Sequence, residues 1–232
     1  MKFLQWLANF FNPKQPQLPA PAEDQKFKDG RELPAADEGR HVKLAIVVGH
    51  TKAEPGASLA AFPSPNPLPK HEYSFNSEIA RLIKQEAEKI KSVDVEVFFR
   101  DGVGIQGAYK KAIAWGADAC IELHFNAFNG HTKGSEVLAT SDLMDVEFAH
   151  LVLGHICRVF GRDGTSRGVK CIARTGRGGQ NVHSFPAGVN CLVEPFFGDN
   201  VEEARMAWEK RFDYAKCLVE AVNLWAIKKG LI

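Results

Sequence analysis

Apolar residues recur along most of this chain in two alternating rhythms, and the rhythm changes at turn signals. Residues 42–49 hold Leu44, Ala45, Ile46, Val47 and Val48 in an almost unbroken run, the pattern of a strand covered on both faces. Residues 72–91 carry Phe75, Ile79, Leu82, Ile83 and Ile90 at helical spacing, with charges between them. A β-rich stretch follows at 93–99, then a helical pattern at 105–115 with Gly116 as its stop. Residues 119–124 and 135–140 read as strands, and 144–160 as a helix with Val146, Ala149, Leu153, Ile156 and Phe160 on one face. Two more strands are expected at 169–173 and 189–194. The stretch 201–229 predicts one long helix, capped by Asn200 and ended by Gly230, with Lys228 and Lys229 at its negative end.

Alternating strands and helices predict an α/β fold: a mostly parallel or mixed central sheet flanked by helices, in a single catalytic domain. Residues 12–40 are rich in Pro, Gln, Asp, Glu and Lys and lack apolar periodicity. The expected division is therefore residues 1–40, an N-terminal aromatic segment with a Pro-rich linker or arm, and a domain over 41–232. In open α/β sheets the functional crevice lies at the carboxyl ends of the strands. His50, His124 and Glu194 each close a predicted strand, so the fold rule directs attention to them. The loop at 51–70 contains Pro55, Pro63, Pro65, Pro67 and Pro69. It reads equally as a wall of a substrate groove and as a surface insertion.

Totals narrow the function classes. The chain has 232 residues, 29 basic and 28 acidic, with a net charge of +1. That balance offers no electrostatic case for nucleic acid or an anionic membrane. Cys120, Cys157, Cys171, Cys191 and Cys217 are odd in number and lack C-x-x-C spacing, so neither a disulfide framework nor a four-thiolate zinc site is expected. Buried core thiols are the expectation. No stretch is long enough to span a bilayer. Residues 1–11 make a poor secretory signal, because Gln5 and Asn9 interrupt the apolar stretch. Packing on the domain or a partner, and a peripheral membrane contact, stay open beside it.

The chemistry-bearing residues at the strand and helix ends are His50, Glu72, which opens a predicted helix, and His124. Two imidazoles and one carboxylate form an open zinc shell with a fourth position for water. Glu194 is the candidate acid/base partner. Each has a plain alternative: a hydrogen-bonded boundary residue for the histidines, a favourable charge at a helix start for Glu72, and a loop carboxylate for Glu194. The spacing is not a compact motif such as H-E-x-x-H. His71 competes with Glu72, but neighbouring residues rarely face one metal. His131, His150, His155 and His183 are expected to be non-ligands. Residues 174–180 (Arg174, Thr175, Gly176, Arg177, Gly178, Gly179, Gln180) read as a flexible turn or a cationic loop.

Taken in order, the segments resemble the zinc-dependent N-acetylmuramoyl-L-alanine amidases of bacterial cell walls, the amidase type 3 family. The likeness runs from about Lys43 to Ala226. It rests on Gly49-His50, Pro55-Gly56-Ala57, Glu72, Arg100-Asp101, Gly116-Ala117-Asp118, His124-Phe125-Asn126-Ala127, Gly134-Ser135-Glu136-Val137, Arg167-Gly168-Val169-Lys170, Val193-Glu194 and Asn200. The resemblance implies zinc (Zn2+) on His50, Glu72 and His124, and catalysis by Glu194. It implies a peptidoglycan hydrolase that cleaves between N-acetylmuramic acid and L-alanine. Asn126, Arg174 and Arg177 are then substrate-binding candidates, with the arginines facing stem-peptide carboxylates. Departures are the absence of an Asp before His50 and the Pro195 that follows Glu194. A zinc peptidase and a non-catalytic wall-binding module are the rival readings. The substrate lies outside the cytoplasmic membrane while the export signal is poor. An endolysin-like enzyme held in the cytoplasm until lysis reconciles the two, and an exported autolysin is the alternative.

Overall fold

The computed structural model describes residues 39–232 apart from Thr165; the expectations for residues 1–38 lie outside the described residues. Six strands form one sheet: β1 (Val42–Val48), β2 (Val93–Phe99), β3 (Ala119–Leu123), β4 (Glu136–Ala139), β5 (Gly168–Cys171) and β6 (Val189–Glu194), in the order β2-β1-β3-β6-β4-β5. The helices are α1 (Glu72–Ala87), α2 (Gly104–Trp115), α3 (Leu143–Val159), α4 (Gly179–Val182), α5 (Val201–Glu209) and α6 (Arg211–Lys228). The mixed α/β architecture agrees with the sequence pattern. Every pairing is parallel except that of β4 with β6.

Burial on both faces explains the unbroken apolar run of β1. Successive side chains of a strand point to opposite faces. Leu44, Ile46 and Val48 join a large core with Phe75 of α1, Phe148 of α3 and Trp225 of α6. Ala45 and Val47 join a smaller core with Tyr109 and Ala112 of α2. Each fully buried aliphatic chain stabilises the fold by roughly 1.5–3 kcal/mol.

Strand register places the site. Val48 pairs with Leu123, and Leu123 with Val193, so β1, β3 and β6 end side by side. The antiparallel β4 brings its first residue to the same edge, where Glu136 faces Glu194 directly.

Three expectations change. The single helix at 201–229 is two helices that meet at Lys210, whose backbone leaves helical geometry at φ −95° and ψ 12°. No Pro or Gly marks that break. The Lys210 ammonium donates to the Val159 carbonyl at 2.7 Å, so a tertiary contact with the end of α3 stands at the junction. Cys171 is exposed on β5, whereas the other four thiols are buried as expected. The loop at 51–70, open between groove wall and surface insertion in the sequence, runs mostly along the surface and is pinned to the domain where Leu59 and Phe62 enter the large core and the Ala60 amide donates to the Gly198 carbonyl.

Candidate metal centre and catalytic pocket

His50 follows β1 in the left-handed region, at φ 65°, and is one of two non-glycine residues there among the described residues. Such a conformation costs on the order of 1–3 kcal/mol and persists where the surroundings over-determine it. Those surroundings are tight. A Cβ on Gly49 would lie 2.5 Å from the His124 ring, and one on Gly56 would lie 2.7 Å from both Glu72 Oε2 and the His50 ring. Both positions therefore require glycine. Glu72 is the first residue of α1, and its own carboxylate accepts the Ala57 amide at 3.3 Å and the Phe125 amide at 3.0 Å. It stands between the two histidines, with Oε2 3.2 Å from His50 Nε2 and Oε1 2.7 Å from His124 Nδ1. One ligand atom from each of His50, Glu72 and His124 lies within 4.8 Å of the others.

Electrostatics agree with this placement. Burial pushes the Glu72 carboxyl up, but hydrogen bonds from His124 and His50 outweigh it and hold the group at about 2. Burial alone lowers His124; the carboxylates of Glu122 and Glu72 on its two sides reverse that and bring the imidazolium to about 10. Two carboxylates thus draw a positive charge onto this ring, and a cation shared with Glu72 meets the same demand.

The opposite wall is built differently. Two carboxylates directly across a strand pair repel each other, and Arg177 bridges them: its guanidinium lies 2.8 Å from Glu136 Oε1 and 3.2 Å from Glu194 Oε1. Asn126 completes the link, donating to Glu136 at 2.8 Å and accepting from Arg177 at 3.1 Å. Arg167 holds the other Glu136 oxygen at 3.0 Å. The Glu194 Oε2 atom is buried and has no hydrogen-bond partner among the described residues. Burial raises this carboxyl to about 7, although His124 and Arg177 pull the other way. Behind it, the Pro195 carbonyl accepts from the Ser135 hydroxyl at 2.6 Å and from Arg162 at 3.1 Å, which fixes the strand end.

The two walls enclose a cavity of about 450 Å³ whose lining includes His50, Glu72, His124, Asn126, Arg177 and Glu194. Only Ala57 of the 51–70 loop reaches it. Arg174 does not: it donates to the His183 carbonyl at 3.1 Å and lines a separate cleft. Residues 179–182 form the short helix α4 instead of continuing the turn. His71 precedes α1 and stays outside the cluster, His155 bonds the Leu151 carbonyl, and His183 faces the Ile172 carbonyl. Glu122, Tyr109 and Asn181 were not anticipated as part of the site. The available signal was Glu122 itself, a charged residue inside an apolar strand two positions before His124.

A family model described as N-acetylmuramoyl-L-alanine amidase matches residues 44–223. The chain belongs to that family. It is a hydrolase, and the amide bond that names the family is its target. No curated protein matches this amidase. Among solved structures, an N-acetylmuramoyl-L-alanine amidase from Clostridium difficile 630 is similar at a TM-score of 0.69 and 20% identity, over 82% of this chain and 100% of that one. The catalytic domain of the CD27L endolysin targeting Clostridia difficile gives 0.59 and 27% identity, over 79% of this chain and 98% of that one. The catalytic domain of CwlV, an amidase from Bacillus (Paenibacillus) polymyxa, gives 0.64 and 16% identity, over 80% and 98%.

Proposed function

We propose that this amidase is zinc-dependent, with His50, Glu72 and His124 as ligands and Glu194 as the acid/base residue. The observation that carries the reading is the convergence of the three ligand atoms within 4.8 Å, in one cavity with a buried, unpartnered Glu194 oxygen. The donor set suits the ion: two imidazole nitrogens and one carboxylate are a common open zinc shell. When bound, zinc supplies Lewis acidity and brings the pKa of water to roughly 7.

The residues of the chain do the remaining work. Glu194 accepts a proton from the attacking water and delivers it to the leaving amine of L-alanine. Its elevated pKa, about 7, suits a group that must both take and give a proton near neutrality. Asn126 and Arg177 line the same cavity and orient the substrate. Arg174 has no part in this reading, since its side chain faces another cleft. The substrate is the amide between N-acetylmuramic acid and the stem peptide of peptidoglycan, so the protein works on the cell wall. Among the described residues no helix is long and apolar enough to cross a membrane. Storage in the cytoplasm until lysis, as in an endolysin, is our reading of the weak N-terminal signal.

Digestion of purified sacculi with mass analysis of the fragments tests this. The expected products are glycan strands and stem peptides with a free L-alanine amino group. New amines elsewhere in the peptide would replace the amidase reading with a peptidase. No release, together with no bound metal, would leave a wall-binding module.

A further inference from the structure

We infer that Glu122 is the positioning residue of the metal centre, the carboxylate that selects which nitrogen of His124 faces the ion. Glu122 and His124 are two positions apart, so both point to the same side of the sheet. Glu122 is fully buried, in the middle of a strand where an apolar residue would ordinarily sit. An ionised carboxylate in that position is costly unless its oxygens are saturated with donors. Here they are. Tyr109 donates its hydroxyl to Oε2 at 2.6 Å, Asn181 reaches both oxygens at 2.9 Å, and Arg100 lies 3.2 Å from Oε1. The remaining contact is His124 Nε2, 3.0 Å from Oε1.

Everything around Glu122 donates, so it acts only as an acceptor, and His124 must present Nε2–H to it. The lone pair is then left on Nδ1, the atom that already faces Glu72 at 2.7 Å. This chooses the tautomer and fixes the ring plane, the role that outer carboxylates play behind metal-bound histidines. The donors come from three places: Arg100 after β2, Tyr109 on α2 and Asn181 on α4. The orientation of one imidazole is thereby tied to the packing of α2 and α4 against the sheet. Amide hydrolysis does not touch Glu122, and the hydrogen bond to His124 Nε2 is what links this buried charge to the metal centre.

The inference rests on the reading of His50, Glu72 and His124 as ligands, so the test separates the two. Zinc affinity is measured by chelator competition for the full chain, for His124→Ala and for Glu122→Gln, with unfolding midpoints of the metal-free proteins alongside. Cobalt is then substituted and its visible spectrum recorded. One tight site in the full chain that His124→Ala abolishes establishes the ligand reading by itself; no such site defeats that reading and the inference with it. Given that site, Glu122→Gln is expected to weaken zinc roughly 10–100-fold and to alter the cobalt spectrum. Tyr109→Phe removes one donor without touching the carboxylate and serves if Glu122→Gln does not fold. It is expected to weaken zinc by a smaller factor than Glu122→Gln does, because the carboxylate keeps its other donors. A folded Glu122→Gln, or failing that Tyr109→Phe, with unchanged zinc affinity and cobalt spectrum would overturn the inference, whatever its unfolding midpoint.

Discussion

The two walls of the pocket solve opposite problems. On the wall formed by β1, β3 and α1, Glu72 is held by both histidines and two backbone amides and His124 by Glu72 and Glu122, two glycines admit the imidazoles, and His50 holds a strained φ of 65°. On the wall formed by β4, β6 and the 172–178 turn, a carboxylate oxygen of Glu194 has no partner, and the bridging Arg177 side chain is 63% exposed. The same contrast appears in two carboxylates of the cavity. Both are buried, yet Glu72 is held at about 2 and Glu194 is raised to about 7. The difference is in the hydrogen bonds: two imidazoles and two backbone amides meet Glu72, whereas a single arginine meets one oxygen of Glu194. A rigid, ionised wall suits a bound cation, and an adjustable wall suits a group that exchanges protons.

The sharpest way to break this contrast is to delete one member of each wall. His124→Ala should lose both metal and turnover, to background in the sacculus assay. Glu194→Ala should keep the metal and lose about 10²–10⁴-fold in kcat, the usual size of a general acid/base contribution. Equal metal loss in both variants would merge the walls into one network. Next in size is Gly49→Ala, whose methyl would meet the His124 ring at 2.5 Å. It should destabilise by about 1–3 kcal/mol, read in denaturant, and weaken metal binding as well.

Protons sharpen the comparison further. Glu194 has a folded value of about 7, above its ordinary 4.5, so its ionisation opposes folding. That penalty is absent below pH 4.5 and fully present above pH 7. Metal-free Glu194→Gln should therefore unfold at a higher temperature than the parent at pH 8, with no such gain at pH 4. A lower midpoint for the variant at pH 8 would mean that the carboxylate is better satisfied than its burial implies. The smallest effect is expected from Arg177→Ala. Removing that cation raises Glu194, so the acid limb of kcat/KM should move to higher pH. An unmoved limb would show that the arginine does not act on the base.

Some of this was legible in the residue pattern and some was not. His50, His124 and Glu194 could be found because strand ends are visible as the last polar residue of an apolar run, and parallel strands in register bring such ends together. Glu72 could be found because a helix start is visible in its periodicity. Glu122 was hidden for the reason that makes it interesting: inside an apolar run it looks like an interruption, and its donors Arg100, Tyr109 and Asn181 are distant in sequence. The Glu136–Glu194 pairing depends on β4 running antiparallel, which no local pattern encodes. Arg174 and Arg177 look equivalent in the chain, yet a three-residue separation in a turn sends them to different clefts. The break at Lys210 carries neither Pro nor Gly, and the contact of Lys210 with the end of α3 that stands there is distant in sequence.

Titration of the metal-free protein with zinc, repeated for His50→Ala, Glu72→Ala, His124→Ala and Glu194→Gln, bears most directly on the claim that three side chains share one ion. The expected result is one tight equivalent per chain for the parent and for Glu194→Gln, and loss of that tight binding in the other three. A parent chain that takes up no stoichiometric zinc while still releasing L-alanine amines from sacculi would contradict the account.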